Sequence, residues 1–402
     1  MISLEILKTL AVGSPAKIIL LVMDGVGGLP HTETGKTELE SANTPNLDKI
    51  TKEGICGLME PIAPGITPGS GPAHLALFGY DPIEYQIGRG VLEALGIGFD
   101  LQPTDVAARG NFATGDEKGI IIDRRAGRIA TEKTQELCQM LQEKIRLNEG
   151  EVFIRPGKMH RLVVIFRGEN LSGELTDSDP QKEGKPPRPV TALSPSAQKT
   201  ASLANEFIEK TRPLLRDCHP ANMLLLRGFA KVPQIPTMSE IYGLRPAAIA
   251  TYPMYRGLSK LVGMEILPAG VSLKEEFETL KGNYPHFDFF YLHLKETDTA
   301  GEDGDFMRKV KVIEEFDRFL PIINELQPEV VIVTGDHSTP ARLKAHSWHP
   351  LPFVLKSSWC IPDGITKFSE RACRNGSLGI FPALSAMSLA MAHALKLGKY
   401  GA

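Results

Sequence analysis

Residues 17–25 read KIILLVMDG. An unbroken apolar, β-branched run stops at Asp24 and Gly25. A run with no polar alternation predicts a strand buried on both faces, as strands of parallel sheets are. In an open parallel sheet, ligands bind beyond the carboxyl ends of the strands. Asp24 stands at such an end.

The same pattern recurs far along the chain. HFDFFYLHLK (286–295) runs into KETDTAGEDGD, with Asp298, Glu302, Asp303 and Asp305, and EVVIVTGDH (329–337) ends in Asp336 and His337. After about residue 237, AAIAT, YRGLSKLVGM, GDFMRKVKVIEEFDRFLPIINEL and LPFVLKS continue a strand–helix alternation. That alternation predicts an α/β fold with a doubly wound, mostly parallel sheet. From about residue 100 the texture is different. DVAARGNFAT, the amphipathic TEKTQELCQMLQEKI (131–145), HRLVVIFRG (160–168), the proline-rich LTDSDPQKEGKPPRP (175–189), a long helix over 196–217 and ANMLLLRGFAK (221–231) suit an inserted smaller α/β domain. The expected division is residues 1–89 plus 237–402 for the main domain and 90–236 for the insertion.

Composition narrows the class. The 402 residues are 42% apolar and 23% charged with a net charge of −3, which suits a soluble globular enzyme and gives no reason to expect nucleic acid or a membrane as partner. Five scattered cysteines without a CxxC argue against a disulfide framework and point to a reducing, cytoplasmic setting. The N-terminus carries Glu5 and Lys8 and does not read as a signal peptide.

What gathers several carboxylates at one sheet edge? Like charges repel and buried anions are costly, so cations are expected. Oxygen and imidazole donors together suit Zn²⁺ or Mn²⁺, and oxygen alone suits Mg²⁺ or Ca²⁺. AHSWHPLPF (345–353) adds His346 and His349. ITPGSGPAHLALFGYDP (66–82) places Ser70 between two glycines and two prolines, just before a helix. This is either a plain turn or a backbone bent to present a nucleophile. With the acids and histidines it suggests a two-metal site that activates the serine as an alkoxide. DTAGEDGD reads as a solvated acidic or calcium-like loop, although it lacks EF-hand spacing. His74 and His293 read as structural. The glycines of DGVGG are no dinucleotide fingerprint, because the third glycine would fall at Pro30.

Taken in order, VMDGVGG, TPGSGPAHLALFGYDP, DRRAGR, TDSDP, LLLRG, KETDTAGEDGDF, TGDHSTP and AHSWHPLPF resemble the archaeal-type 2,3-bisphosphoglycerate-independent phosphoglycerate mutases of the alkaline phosphatase superfamily. The resemblance spans nearly the whole chain. It implies an alkaline-phosphatase-like fold and a cytoplasmic, glycolytic isomerase. This enzyme needs two divalent metal ions (Mn²⁺, Zn²⁺ or Mg²⁺) and no 2,3-bisphosphoglycerate, and it passes phosphate between the 3- and 2-hydroxyls of glycerate through a phosphoserine. Ser70 matches the nucleophile. Asp24, Asp336 and His337 match ligands of the metal that also binds Ser70, and Asp298 and His346 match ligands of the second. Glu302 stands where many relatives have a histidine, and a carboxylate there can still ligate. Gly71 and Pro72 are a second departure, in a stretch where archaeal relatives often carry an acid and a hydroxyl.

A mutase must keep glycerate and exclude water, which a closing insertion would do. Its cations for a small phosphorylated hydroxy acid are expected among Arg124, Arg125, Arg128, Arg161 and Arg227, with Arg256 and Lys260 nearer the domain junction. Asp123 or Asp179 is the expected proton shuttle. Alternatively, the arginines simply pair with Asp123, Asp177 or Asp179. The rival activities are a metal-dependent phosphohydrolase or a phosphotransferase of the same superfamily acting on another small phosphorylated metabolite.

Overall fold

The computed structural model describes residues 2–401, which fall into two compact units, one of residues up to Gln86 with those from Ile235 onward and one of Ile87–Gln234. The first is built on an eight-stranded sheet in the spatial order Gly379–Pro382, Ile55–Glu60, Leu351–Ser357, Val330–Thr334, Ile18–Met23, Phe289–Leu294, Pro246–Ala250 and Glu265–Ile266. Ile18–Met23 lies at its centre with every residue buried. It pairs in parallel with both neighbours, Val22 facing His293 on one side and Thr334 on the other. In-register parallel strands end at one level. The residues that follow them, Asp24, Lys295 and the Gly335–Asp336 step, therefore emerge at one edge.

Leu351–Ser357 is the one reversed strand, antiparallel to both of its neighbours. A return to parallel would need a crossover, usually a helix. Here the chain instead crosses from Thr334 to Leu351 without a helix. The intervening loop stays at the carboxyl edge of the sheet and carries Asp336, His337, Thr339 and His346.

The acidic segment after Phe289–Leu294 is not the loop that its composition suggests. Glu296–Asp303 is a helix ended by Gly304 at φ 74°, and the Asp305 side chain caps the next helix, Phe306–Leu326. Tertiary packing overrides the weak helix propensity of Thr, Asp and Gly. A Cβ on Gly301 would lie 2.2 Å from the Thr339 carbonyl oxygen, so the glycine lets this helix press on the 335–350 loop. Thr297 Oγ1 donates to the Asp24 carbonyl at 2.5 Å and ties the same helix to the central strand.

The second unit holds a five-stranded antiparallel sheet with Val106–Gly115 at its middle, flanked by Arg161–Arg167 and Met223–Lys231. Strand alternation sends Val106 and Ala108 to one face, against residues of the helices Thr131–Lys144 and Gln198–Leu215. Ala107 faces the other way, against Val91 and Ala94 of Arg89–Gly96. Among the described residues no helix is long and apolar enough to cross a membrane.

One buried acid in the first unit has a measurable consequence. Glu276, on the helix Leu273–Asn283, is 4% exposed, and its Oε2 has no hydrogen-bond partner. Burial, with the Glu296 charge, pushes its pKa up to about 8 from 4.5. The folded chain keeps the proton that the unfolded chain releases, so this contribution is full below pH 4.5 and is lost as pH rises through 8. Glu276→Gln should remove that slope. In thermal melts the variant should gain several degrees over wild type between pH 6 and 9 (roughly 2–4 °C per kcal/mol). A difference independent of pH would contradict the assignment.

Candidate active site

The extended stretch 66–69 feeds a helix that begins at Ser70 itself and runs to Leu77, with no side chain capping it at Gly69. Its Ser70 and Gly71 amides and its positive dipole end are placed to meet an anion, whereas Pro72 has no amide proton and that of Ala73 goes to the Gly69 carbonyl. Ser70 Oγ lies 3.0 Å from His337 Nε2. One turn on, His74 Nδ1 is 2.9 Å from the Ser70 carbonyl oxygen and 3.2 Å from Asp336 Oδ2.

Around this serine, ligand atoms of Asp24, Asp336 and His337 lie within 4.8 Å of one another, and so do those of Asp298, His337 and His346. His337 belongs to both groups, and its ring stacks on that of His346 at 3.7 Å. His346 Nδ1 is 2.9 Å from the Pro68 carbonyl, which can only accept. Nδ1 therefore carries a proton, and Nε2 faces Asp298 Oδ1 at 3.6 Å. Glu302, one turn beyond Asp298, is exposed. Its carboxylate is 3.9 Å from His346 Nε2 and lies outside both groups. His349 bonds Ser347 Oγ at 3.1 Å. Asp303 pairs with Arg308, and Asp305 is a helix cap, so neither enters the site.

Do these residues fit divalent cations? Asp24 Oδ1 and Asp336 Oδ2 are buried with no hydrogen-bond partner. Two adjacent buried carboxylate oxygens without donors are costly unless a cation meets them. The donor set, carboxylate oxygens with imidazole nitrogens, suits Mn²⁺ or Zn²⁺. The protein's own charges respond in the same sense. Burial opposes a charge on His337, but Asp336 and Asp24 outweigh it and raise its pKa to about 9. Burial would also raise Asp336, yet His337 and His74 hold it well below the usual carboxylate range.

Several contributors carry no signal in the sequence taken one residue at a time. Lys295 Nζ sits 3.0 Å from Asp24 Oδ2 and 2.5 Å from Asp298 Oδ2. Burial works against its charge, but the two acids keep its pKa above the ordinary lysine value. Tyr255 donates its hydroxyl to Asp24 Oδ2, whereas Arg256 and Lys260 of the same helix are exposed. His293, read as a core residue, is fully buried, yet its Nε2 is 3.2 Å from Asp24 Oδ2. Strand register is the clue that would have found Lys295 and His293, since both lie on or just beyond the strand paired with Asp24's.

Lys309 braces the whole edge from behind. Fully buried, its ammonium donates to the carbonyls of Gly25 (2.8 Å), Gly27 (3.1 Å) and Thr339 (2.9 Å). Gly27 and Gly28 allow this close approach. A Cβ on either would lie 1.9 Å from Ser338 Oγ or Glu38 Oε2.

In the second unit, Arg161, Arg89 and Arg227 all lie near enough to Arg109 to act on its charge. Burial and the three neighbouring cations lower Arg109 to about 10, despite Glu93. Burial, then Arg161, Arg109, Arg125 and Arg128, lower His160 to about 4. Arg89 and Arg109 are additions to the sequence-derived set. Arg124 is held by Asp179 through bonds of 2.9 and 2.6 Å. Asp179 also accepts from the Gln181 amide, Asp123 accepts the amides of Arg125 and Gly127, and Asp177 accepts that of Gly228. Each of these carboxylates thus already accepts at least one backbone amide.

A mostly parallel α/β sheet with acids, imidazoles and a serine beyond its strand ends defines an α/β enzyme with candidate metal-ligand groups. Comparison with known proteins narrows the class. Residues 51–222 match the 2,3-bisphosphoglycerate-independent phosphoglycerate mutase family. A Thermotoga maritima protein named as a probable member is 52% identical over 399 residues, 99% of both chains, and one from Thermus thermophilus is 51% identical over 401 residues, again 99% of both. The solved cofactor-independent phosphoglycerate mutase of Thermoplasma acidophilum superimposes with a TM-score of 0.74 at 32% identity, covering 94% of this chain and 100% of that one. A Pyrococcus horikoshii structure reaches a TM-score of 0.84 at 30% identity, covering 97% and 100%. The chain belongs to the 2,3-bisphosphoglycerate-independent phosphoglycerate mutase family.

Replacing Lys309 with methionine leaves three buried carbonyls without that donor. At about 1 kcal/mol or more each, the loss should be on the order of 3 kcal/mol. Chemical denaturation should show it, and an unchanged midpoint would remove Lys309 from its bracing role.

Proposed function

We propose that the chain interconverts 3-phosphoglycerate and 2-phosphoglycerate through a phosphoserine on Ser70. The observation that carries this reading is the placement of one serine hydroxyl against two groups of ligand atoms that share His337. Asp24, Asp336 and His337, with Ser70, would hold one divalent cation, and Asp298 and His346 the other, with Glu302 at the rim. When bound, such cations supply the positive charge that favours the serine alkoxide and draws charge from the phosphoryl oxygens.

The chain's own residues set the geometry. Ser70 Oγ forms a bond to phosphorus as the bond from phosphorus to the glycerate O3 breaks. The proton lost from Ser70 ends on O3. Glycerate then turns, its O2 attacks the same phosphorus, and Ser70 leaves with a proton restored. The amides at the start of Ser70–Leu77 face the anionic group. Lys295, between Asp24 and Asp298, places a fixed positive charge beside the transfer. To the insertion we assign the binding and retention of glycerate. The support is its arginine content, with Arg161, Arg227, Arg109 and Arg89 as the main candidates and Arg125 and Arg128 beside His160. Arg124, already paired with Asp179, is assigned the support of that acid. We place the reaction in the cytoplasm, a reading supported by five free cysteines.

The test is direct. With Mn²⁺ and 3-phosphoglycerate, and without bisphosphoglycerate, coupled enolase should report 2-phosphoglycerate. Ser70→Ala should lower the rate about 10³-fold or more, and Lys295→Met about 10²-fold. Chelation should abolish turnover, and Mn²⁺ should restore it. Release of free phosphate in place of 2-phosphoglycerate would identify a hydrolase instead.

A further inference from the structure

We propose that Thr339 is a positioning residue whose hydroxyl couples the two ligand groups, receiving a hydrogen bond from His337 and passing one to Asp298. The proposal rests on the two-cation reading above. Thr339 is fully buried, with Oγ1 2.6 Å from Asp298 Oδ1 and 3.0 Å from His337 Nδ1. A hydroxyl carries a single proton, and a carboxylate only accepts. The Thr339 proton therefore goes to Asp298, and His337 Nδ1 must be the donor to Thr339. That fixes the ring. Its Nε2 then faces Ser70 Oγ at 3.0 Å, Asp336 Oδ2 at 3.1 Å and Asp24 Oδ1 at 3.3 Å, where a ligand lone pair is required.

The hydroxyl is thus a single link between a ligand of one cation and a ligand of the other. Orienting bonds of this kind typically change metal affinity by about 10–100-fold. The surroundings are shaped for it. Gly25, at φ 63°, lacks the Cβ that would lie 2.6 Å from Thr339 Oγ1 and 2.7 Å from Asp298 Oδ1. The Thr339 backbone is anchored separately, its amide to the Gly25 and Gly27 carbonyls and its carbonyl to Lys309. The hydroxyl can therefore be removed without releasing the loop, and its loss reads as a loss of orientation.

The experiment is calorimetric titration of Mn²⁺ into the wild-type chain, Thr339→Val and Thr339→Ser. Wild type and Thr339→Ser should bind two ions with affinities within about threefold of each other. Thr339→Val should bind both at least tenfold more weakly. Two ions bound by Thr339→Val at wild-type affinity would overturn the coupling and leave the two-cation reading standing. Fewer than two ions bound by the wild type would overturn both. Should Thr339→Val fail to fold, the wild type decides by ¹⁵N-histidine NMR with Zn²⁺ bound. A slowly exchanging His337 Nδ1–H, shifted in Thr339→Ser, supports the link, and a rapidly exchanging one refutes it.

Discussion

Two aspartates are pressed together by strand register. Asp24 follows the central strand, Asp336 follows its parallel neighbour, and both are fully buried. Buried like charges at such a separation are unfavourable unless positive charge meets them. Within the chain, Lys295 and His337, whose pKa these acids raise, supply part of it. Two carboxylate oxygens still lack a donor. This unmet demand for positive charge, set beside a serine at a helix start, is the constraint around which the first unit is arranged.

Holding that arrangement takes interactions with no chemistry of their own. The Glu296–Asp303 helix is tied to the central strand through Thr297, Lys309 gathers three carbonyls, and glycines at 25, 27, 28 and 301 leave room for the approach. Each removes freedom from a loop that would otherwise relax to separate the acids. The second unit shows the opposite sign. Burial, helped by neighbouring arginines, depresses Arg109 and Arg227. Glu93 and Asp179 offset part of that charge by pairing with Arg109 and Arg124.

Much of this was legible along the chain. The apolar runs ending at Asp24 and at Asp336 mark buried strands and their ligand-facing ends, because hydrophobic continuity and strand-end position are local properties. Ser70 among glycines and prolines is marked in the same way. The acidic segment at 298–305 misled, because composition argued for a loop while packing of Gly301 on Thr339 made a helix. The reversed Leu351–Ser357 strand was also not visible, since nothing local distinguishes the two directions of an apolar run.

By itself the sequence determined which segments are buried strands, where acids, imidazoles and a serine interrupt them, and that the insertion is rich in arginine. Only the tertiary structure decided that His293, Tyr255 and Lys295 all address Asp24, that Lys309 braces two loops, and that Thr339 stands between His337 and Asp298. The physical reason is range. Hydrophobic periodicity acts over a few neighbouring residues and can be read in a line. Hydrogen bonds and charge pairs act over a few ångströms of space, between residues that strand register brings together from positions hundreds of places apart.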